Sequence, residues 1–424
     1  MVVVKTQWQL HLHGQKRGFK GFVDLPSRGF ITGGYTLGSV VMASQSRDDG
    51  ADLFPITRKL VFFNHAGVAP ISGPAATAIR RYADQAESAA YCGSGWYEQV
   101  GRIKATAAGL IGAASGDEVA FVANTSTGLN MVANGLDWRA GDQVVITNVE
   151  YPANRYPWEN LKRLGVELVE VQQKPDGRID VREVVGAITQ RTRVVSISHV
   201  QYASGFRINL SPISEAVHRV GGCLCVDAIQ SVGVLPVDVQ ETGIDFLAAD
   251  GHKWLLSPEG CGLFYCRREL IGSLHPCVVG WMNMVDSSNY GDYRFELEPT
   301  AKRFEPGSYN IPGIMALGAS VDLLLSFGID RVWSQLEQLT ARLCQGLDQK
   351  GYRVFSPRRA GERSGIVVFE PPDDGRRSMP PLHGVVAGLQ KKGIVIVVRE
   401  GRLRASPHFY NTPVQIDQLV DALP

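Results

Sequence analysis

The sequence predicts an α/β fold: a large domain built on a doubly wound, mainly parallel sheet, followed by a smaller C-terminal α/β domain. Three observations predict it. From Gly73 onward, apolar residues at helical spacing alternate with short β-branched runs, and such alternation buries parallel strands between two layers of helices. The residues best suited to chemistry fall at the carboxyl ends of those runs, where open parallel sheets bind ligands. At 424 residues, 44% hydrophobic and 20% charged, the chain has the length and composition for a large core.

Taken in order, the chain divides into three parts. Residues 1–57 show no regular period, many glycines and scattered basic positions (Lys5, Lys16, Arg17, Lys20, Arg28), and are expected to be a disordered extension outside the fold. The polar stretch after Met42 reads as a natural start, with a targeting role for the basic residues as the alternative. Residues 58–312 carry the large domain. Helical patterns at Pro74–Ala89 and Trp96–Ile111 precede a strand at Glu118–Ala123, and Asn124-Thr125-Ser126-Thr127-Gly128 opens the next helix. Strands follow at Gln143–Val149, Val166–Val171, Arg193–Val200, Leu224–Val226 and Ile244–Ala249, separated by helices such as Pro212–Val220. Residues 313–424 form the smaller domain, with helices at Ile314–Phe327, Arg331–Lys350 and Leu382–Lys392 and strands at Tyr352–Phe355, Gly365–Phe369 and Ile394–Val398. A last helix begins at Thr412-Pro413, an N-cap followed by a first-turn proline.

A formal net charge of +1 gives no electrostatic reason to expect nucleic acid or an anionic membrane as partner. The first 57 residues hold neither an apolar stretch of transmembrane length nor an apolar core with a cleavage site. Small-molecule chemistry is the better expectation. The seven cysteines (Cys92, Cys223, Cys225, Cys261, Cys266, Cys277, Cys344) are odd in number and mostly in apolar runs, which points to reduced thiols in a cytoplasmic protein. Cys223-Leu224-Cys225 lacks the spacing of a zinc or redox pair, so no metal is expected. No G-x-G-x-x-G in a βαβ unit and no Walker A lysine argues against nicotinamide or nucleotide binding.

The motif that organises the rest is Asp250-Gly251-His252-Lys253-Trp254. Lys253 follows the apolar run Ile244–Ala249 and precedes the turn-rich Ser257-Pro258-Glu259-Gly260. An ammonium at a buried strand end loses hydration, and the loss shifts it toward the neutral amine that attacks carbonyls. Lys253 therefore reads as a Schiff-base lysine, against the blander reading of a side chain reaching out to solvent. Upstream, the run Cys223–Val226 ends on Asp227. A carboxylate there keeps the ring nitrogen of pyridoxal 5'-phosphate (PLP) protonated, which the ring needs to act as an electron sink, and Gln230 is in position for the phenolic oxygen. The hydroxyl-rich turn at Thr125 and Ser126 opens a helix, offering free N–H groups and the positive dipole end to a phosphate. An ordinary turn aspartate and an ordinary N-cap are the alternatives for these residues.

With these residues the chain resembles the class V aminotransferase family of PLP-dependent enzymes, fold type I, which includes cysteine desulfurases, isopenicillin N epimerase-like proteins and, more distantly, kynureninase. The resemblance runs from about Leu60 to the C-terminus. It is most specific at Val226–Gln230, Gly251–Trp254 and Arg404-Ala405-Ser406-Pro407-His408-Phe409-Tyr410-Asn411-Thr412. It implies that residues 58–73 deliver a small-residue turn to the active-site mouth, where His65 contacts substrate, although a structural histidine fits as well. Tyr151 stands where the desulfurases stack a histidine on the ring. Tyr202, in Gln201-Tyr202, replaces part of a Ser-Asn pair and is expected to touch substrate. Arg404 matches the arginine that binds the substrate carboxylate. Asp250 departs from the Ser or Thr found in many members; because a carboxylate repels a phosphate, it is expected to turn away, toward a cation, leaving His252 and Ser126 as side-chain phosphate ligands. Gly307 and Ser308 match a pair that crosses to the partner's phosphate, which implies a homodimer with shared active sites.

The resemblance implies an enzyme acting at the Cα of an amino acid, as a transaminase or an epimerase-like protein. A β-lyase or kynureninase-like hydrolase is the alternative, and a PLP-fold regulator or scaffold is the reading from another class. Cysteine desulfurase is expected to be excluded. That reaction needs a thiolate on a loop before the carboxylate-binding arginine, whereas here the approach to Arg404 is the compact Arg399-Glu400-Gly401-Arg402-Leu403, and no cysteine follows Cys344.

Overall fold

The computed structural model describes residues 53–372 and 380–424. The extension expected over residues 1–57, and the start at Met42, lie outside the described residues as far as residue 52. From residue 53 that expectation needs correction. Phe54 is buried, stacks on Tyr410 at 3.9 Å between ring centroids and meets Phe409 edge-on, so these residues belong to the core.

Among the described residues the strands are β1 (Val61–Phe62), β2 (Val119–Val122), β3 (Gln143–Thr147), β4 (Glu167–Val171), β5 (Thr192–Ser198), β6 (Cys223–Asp227), β7 (Phe246–Asp250), β8 (Gly262–Cys266), β9 (Arg353–Val354), β10 (Val367–Glu370), β11 (Ile394–Val395), β12 (Val397–Arg399) and β13 (Arg402–Ala405). Seven of them form the main sheet, in the order β2-β8-β7-β6-β5-β3-β4. Strands β4, β3, β5, β6 and β7 run parallel, and β8 alone is reversed between β7 and β2. The sheet is therefore mainly parallel, as the alternation in the sequence requires. Strands β2, β3, β7 and β8 are buried on both faces while the edge strand β4 is partly exposed, and successive side chains feed opposite cores: Val119 and Phe121 pack on one side, Ala120 and Val122 on the other.

Strands β12-β13-β10-β9 make a second, antiparallel sheet over its own apolar cluster. The short β1 pairs with β11 in parallel, and an isolated bridge joins Asn64 to Ser406. That pairing carries the turn after β1 to the boundary between the two sheets. Helix Ile311–Phe327, in which the expected boundary at 312/313 falls, packs on helices Gly73–Ala89 and Trp96–Leu110. Gly318 permits the approach, since a Cβ there would lie 2.7 Å from the Ile103 side chain. The last helix, Pro413–Ala422, starts as its sequence indicates, with Thr412 as N-cap in a capping box with Gln415.

Candidate active site

A cleft of about 400 Å³ opens where the carboxyl ends of β6 and β7 face the second sheet. It is lined by Lys253, Asp227, Gln230, Thr125, Ser126, Tyr151, Tyr202, His252 and Arg404, so the fold gathers most of the residues the sequence nominated. A larger groove of about 1200 Å³, around Arg178 and Arg207, shares none of them.

Lys253 is buried three residues past β7, with Nζ 5.5 Å from the centre of the Tyr151 ring. No carboxylate lies within ion-pair distance among the described residues. Burial lowers its pKa to about 8, an effect the charge of Asp227 only partly offsets. Asp227 ends β6, in register with Ala248 of β7. Burial raises its pKa to about 6, opposed by the hydrogen bond from the Ile229 N–H, 3.1 Å, and by Lys253. A cationic partner would favour its charged form.

Helix Thr125–Gly135 points its first turn into the cleft, with Asn124 as N-cap accepting from the Thr127 N–H at 2.9 Å. Thr125 is buried; its hydroxyl accepts from the Asp250 N–H at 3.0 Å and so ties the helix start to the end of β7. Gln230 accepts from the Trp254 indole N–H at 2.7 Å and donates to the Ala66 carbonyl at 3.1 Å. This fixes its amide orientation and leaves one N–H for a ligand.

Two expectations need correction. Asp250 does not turn away: it lines the cleft, one carboxylate oxygen accepting from the Gly251 N–H at 2.7 Å and the other 2.9 Å from His252 Nδ1, out of line for a hydrogen bond. The group it faces is thus the neighbouring His252 ring, which leaves Nε2 for an anion. His65 does not line the cleft. It is fully buried, with Nδ1 2.8 Å from the Ser406 carbonyl and Nε2 2.6 Å from the Tyr410 hydroxyl, so both ring nitrogens are used structurally and its neighbours Asn64, Ala66 and Gly67 line the cleft instead. Gly307 and Ser308, matched to a pair that serves a partner's phosphate, do not line this chain's own cleft.

Burial holds the His65 ring at a pKa of about 4, against an ordinary 6.5, with the Ser406 carbonyl opposing the shift. The folded ring therefore stays neutral while the unfolded chain takes up a proton below pH 6.5, so stability falls as pH drops from 6.5 toward 4. This ring alone accounts for up to about 3 kcal/mol. Urea midpoints at about pH 7 and about pH 5 measure the loss. His65→Asn should shrink the difference; an unchanged difference would assign it to other groups.

Arg404 lies on β13 and is 1% exposed. One terminal nitrogen donates to the Tyr202 carbonyl at 3.1 Å and the other to Asn64 Oδ1 at 3.3 Å, while Nε has no partner and no carboxylate pairs with it among the described residues. Burial and the nearby Arg399 push its pKa down to about 9. A buried guanidinium held by neutral acceptors alone is a receptor awaiting an anion.

Several site residues escaped the sequence reading. Asn64 orients Arg404, and Glu400 accepts from the Tyr202 hydroxyl at 3.0 Å. Glu150 is a buried carboxylate that accepts from Thr147, Asn154, Ser198 and Gln201, anchoring the turn that presents Tyr151. Its position directly after the run Gln143–Val149 was the available signal.

A buried lysine, a strand-end carboxylate on the adjacent strand, a helix N-terminus and an unpaired arginine around one cleft define a PLP-dependent enzyme of fold type I. The cofactor fits the donors present. The N-terminus of helix Thr125–Gly135 with Ser126 and His252 would hold the phosphate, Asp227 the ring nitrogen, and Lys253 the reactive carbon.

The sequence model described as Aminotransferase class-V matches residues 76–419, and the chain belongs to that family. A probable cysteine desulfurase of Methanothermobacter thermautotrophicus is 33% identical over 87% of this chain and 95% of its own length. An uncharacterized aminotransferase, YcbU, of Bacillus subtilis is 30% identical over 88% of this chain and 95% of its own. Among solved structures, the apo cysteine desulfurase of Thermococcus onnurineus NA1 superposes with a TM-score of 0.80 at 26% identity, covering 90% of this chain and 98% of that one. A complex of the cystine C-S lyase C-DES with cysteine persulfide gives 0.78 at 23% identity, over 87% of this chain and 98% of that one, a likeness of fold. These relatives overturn the expectation of a transaminase or epimerase-like enzyme from which desulfurase is excluded. One missing thiol says less about the reaction than the likeness of most of the chain to proteins named as desulfurases.

Proposed function

We propose that this enzyme breaks the carbon–sulfur bond of a cysteine-type amino acid. The observation that carries the amino-acid part is Arg404, a buried guanidinium with a free Nε and no carboxylate partner among the described residues, in the same cleft as Lys253. A substrate carboxylate provides the counter-charge in a geometry that guanidinium suits. The sulfur part rests on the names of the relatives. With its carboxylate on Arg404, the substrate directs its amine toward Lys253, whose own amine, with a pKa near 8, can take and return a proton at Cα around neutral pH. The bound cofactor supplies an electron sink for that carbon. Tyr151 covers Lys253 and limits water there.

The sulfur acceptor follows from the mouth of the cleft. The turn between β12 and β13 carries Glu400, and none of the seven cysteines lines the cleft among the described residues. In our reading the sulfur therefore leaves on a small-molecule carrier. A homodimer is part of the same proposal: Gly307 and Ser308 do not line this cleft, and Trp281, Tyr290, Tyr293 and Phe295 are exposed aromatic side chains on the segment before them. The free thiols support a reducing, cytoplasmic setting.

The test supplies PLP and, separately, cysteine or cystine with a small thiol, and follows sulfide, persulfide, alanine and pyruvate. Sulfur release above that of free PLP is expected, with alanine or pyruvate telling substitution from elimination. No sulfur product from either substrate overturns the reading.

A further inference from the structure

The turn between β12 and β13 is built from an ill-suited residue. The pairing Arg399 to Arg402 leaves two residues, Glu400 and Gly401, to reverse the chain, and both have positive φ, +45° and +72°. Such turns take Asn-Gly or Asp-Gly, because glutamate in the left-handed region is strained. Strain of this kind persists where the surroundings impose it. Here the surroundings are Tyr202, whose hydroxyl donates to Glu400 Oε1 at 3.0 Å.

The same hairpin grips Tyr202 a second time, since Arg404 donates to the Tyr202 carbonyl at 3.1 Å. Tyr202 is thus fixed at its main chain and at its phenol by two residues four positions apart on one hairpin. Its ring meets Tyr151 edge-on, 5.1 Å between centroids and 80° between planes. Tyr151 is 46% exposed and its aromatic neighbour is Tyr202; its ring lies over Lys253 Nζ at 5.5 Å. Without a fixed Tyr202, an aromatic ring exposed to this degree is free to swing.

We propose that Glu400 is a positioning residue: through the Tyr202 phenol it holds the Tyr151 ring over Lys253, and with it the aromatic wall of the cleft. Glutamate is kept at a strained turn because its length and charge reach a phenol that asparagine is too short to reach. The assignment concerns the wall of the cleft and stands apart from the sulfur of the proposed substrate. It makes stability and cofactor fixation move in opposite directions, which a purely structural turn residue does not do.

The experiment uses the full chain loaded with PLP. Glu400→Asn relaxes the turn and removes the clamp, Glu400→Gln keeps an acceptor for the phenol, and Tyr202→Phe removes the donor. Melting temperature without cofactor, PLP affinity and the visible circular dichroism of the bound PLP are read for each. Expected for Glu400→Asn is an unchanged or higher melting temperature, PLP bound about tenfold more weakly, and a reduced dichroic band. Tyr202→Phe should match it in binding and dichroism, the double variant should be no worse than either, and Glu400→Gln should restore most of the signal. A Glu400→Asn protein with wild-type affinity and dichroism overturns the assignment, as does one that loses stability while keeping both. Because no reading depends on turnover, failure of the sulfur chemistry in the wild type remains a separate result.

Discussion

Lys253→Ala protein should bind PLP without forming the visible band of a lysine-linked cofactor, and its turnover should fall by at least about 10⁴-fold. Borohydride should fix the cofactor to a peptide containing Lys253 in the wild type and to no peptide in the variant. The burial that tunes this amine also has a price in stability. Its pKa is about 8 in the fold against 10.5 in ordinary surroundings, so below pH 8 the folded chain without cofactor carries a buried ammonium that the unfolded chain hydrates freely. The sign follows from proton counting: between pH 8 and 10.5 the unfolded chain holds more protons at this site, so stability rises with pH across that window. Removing the amine should therefore raise the melting temperature of the cofactor-free protein at about pH 7, with little change at about pH 11. A variant that still forms a reducible adduct, or that melts well below the wild type at neutral pH, contradicts the assignment.

The parts of the site legible in the sequence are those marked by their own neighbours. Lys253, Asp227, Thr125 and Ser126 each stand where an apolar run ends in a polar turn, and a parallel sheet brings such ends to one edge whatever the details of packing. Illegible were partners set by contacts across the chain. His65 looks available in sequence because Ser406 and Tyr410, which occupy its two nitrogens, are 341 and 345 residues away. Phe54 reads as part of an extension because the rings that bury it are supplied by Phe409 and Tyr410. The reversed strand β8 went unread because Gly262–Cys266 follows a turn and carries no signature of direction. The exclusion of desulfurase chemistry failed for another reason: a missing thiol identifies which atom carries sulfur away, and says little about the bond that is broken first.

Arg404→Met should separate substrate recognition from folding. Methionine approximates the length of the arginine stem and removes a guanidinium that is 1% exposed and meets no carboxylate among the described residues. Burial and Arg399 hold its pKa at about 9, so at neutral pH the charge persists at a cost to the folded state. Against this relief stand two lost hydrogen bonds, to the Tyr202 carbonyl and to Asn64 Oδ1, each worth about 1 kcal/mol or somewhat more because the donor is charged. The two effects are of similar size, so the melting temperature should stay within a few degrees of the wild type, roughly the shift that 1 kcal/mol produces in a chain of this length. Substrate binding has no such compensation. A carboxylate delivered to an apolar wall forfeits a paired, charge-assisted contact, about 3 to 4 kcal/mol, and kcat/KM should fall about 10² to 10³-fold, mainly through KM. Arg404→Lys, which keeps the charge without the fork, should lie between the two. PLP binding should fall less in either variant than in Glu400→Asn, since the Glu400 grip on the Tyr202 phenol remains and Arg404 is assigned to the substrate side of the cleft. A variant that melts early while binding substrate normally would make Arg404 a strap between Tyr202 and Asn64, and the unpaired Nε would then need another explanation.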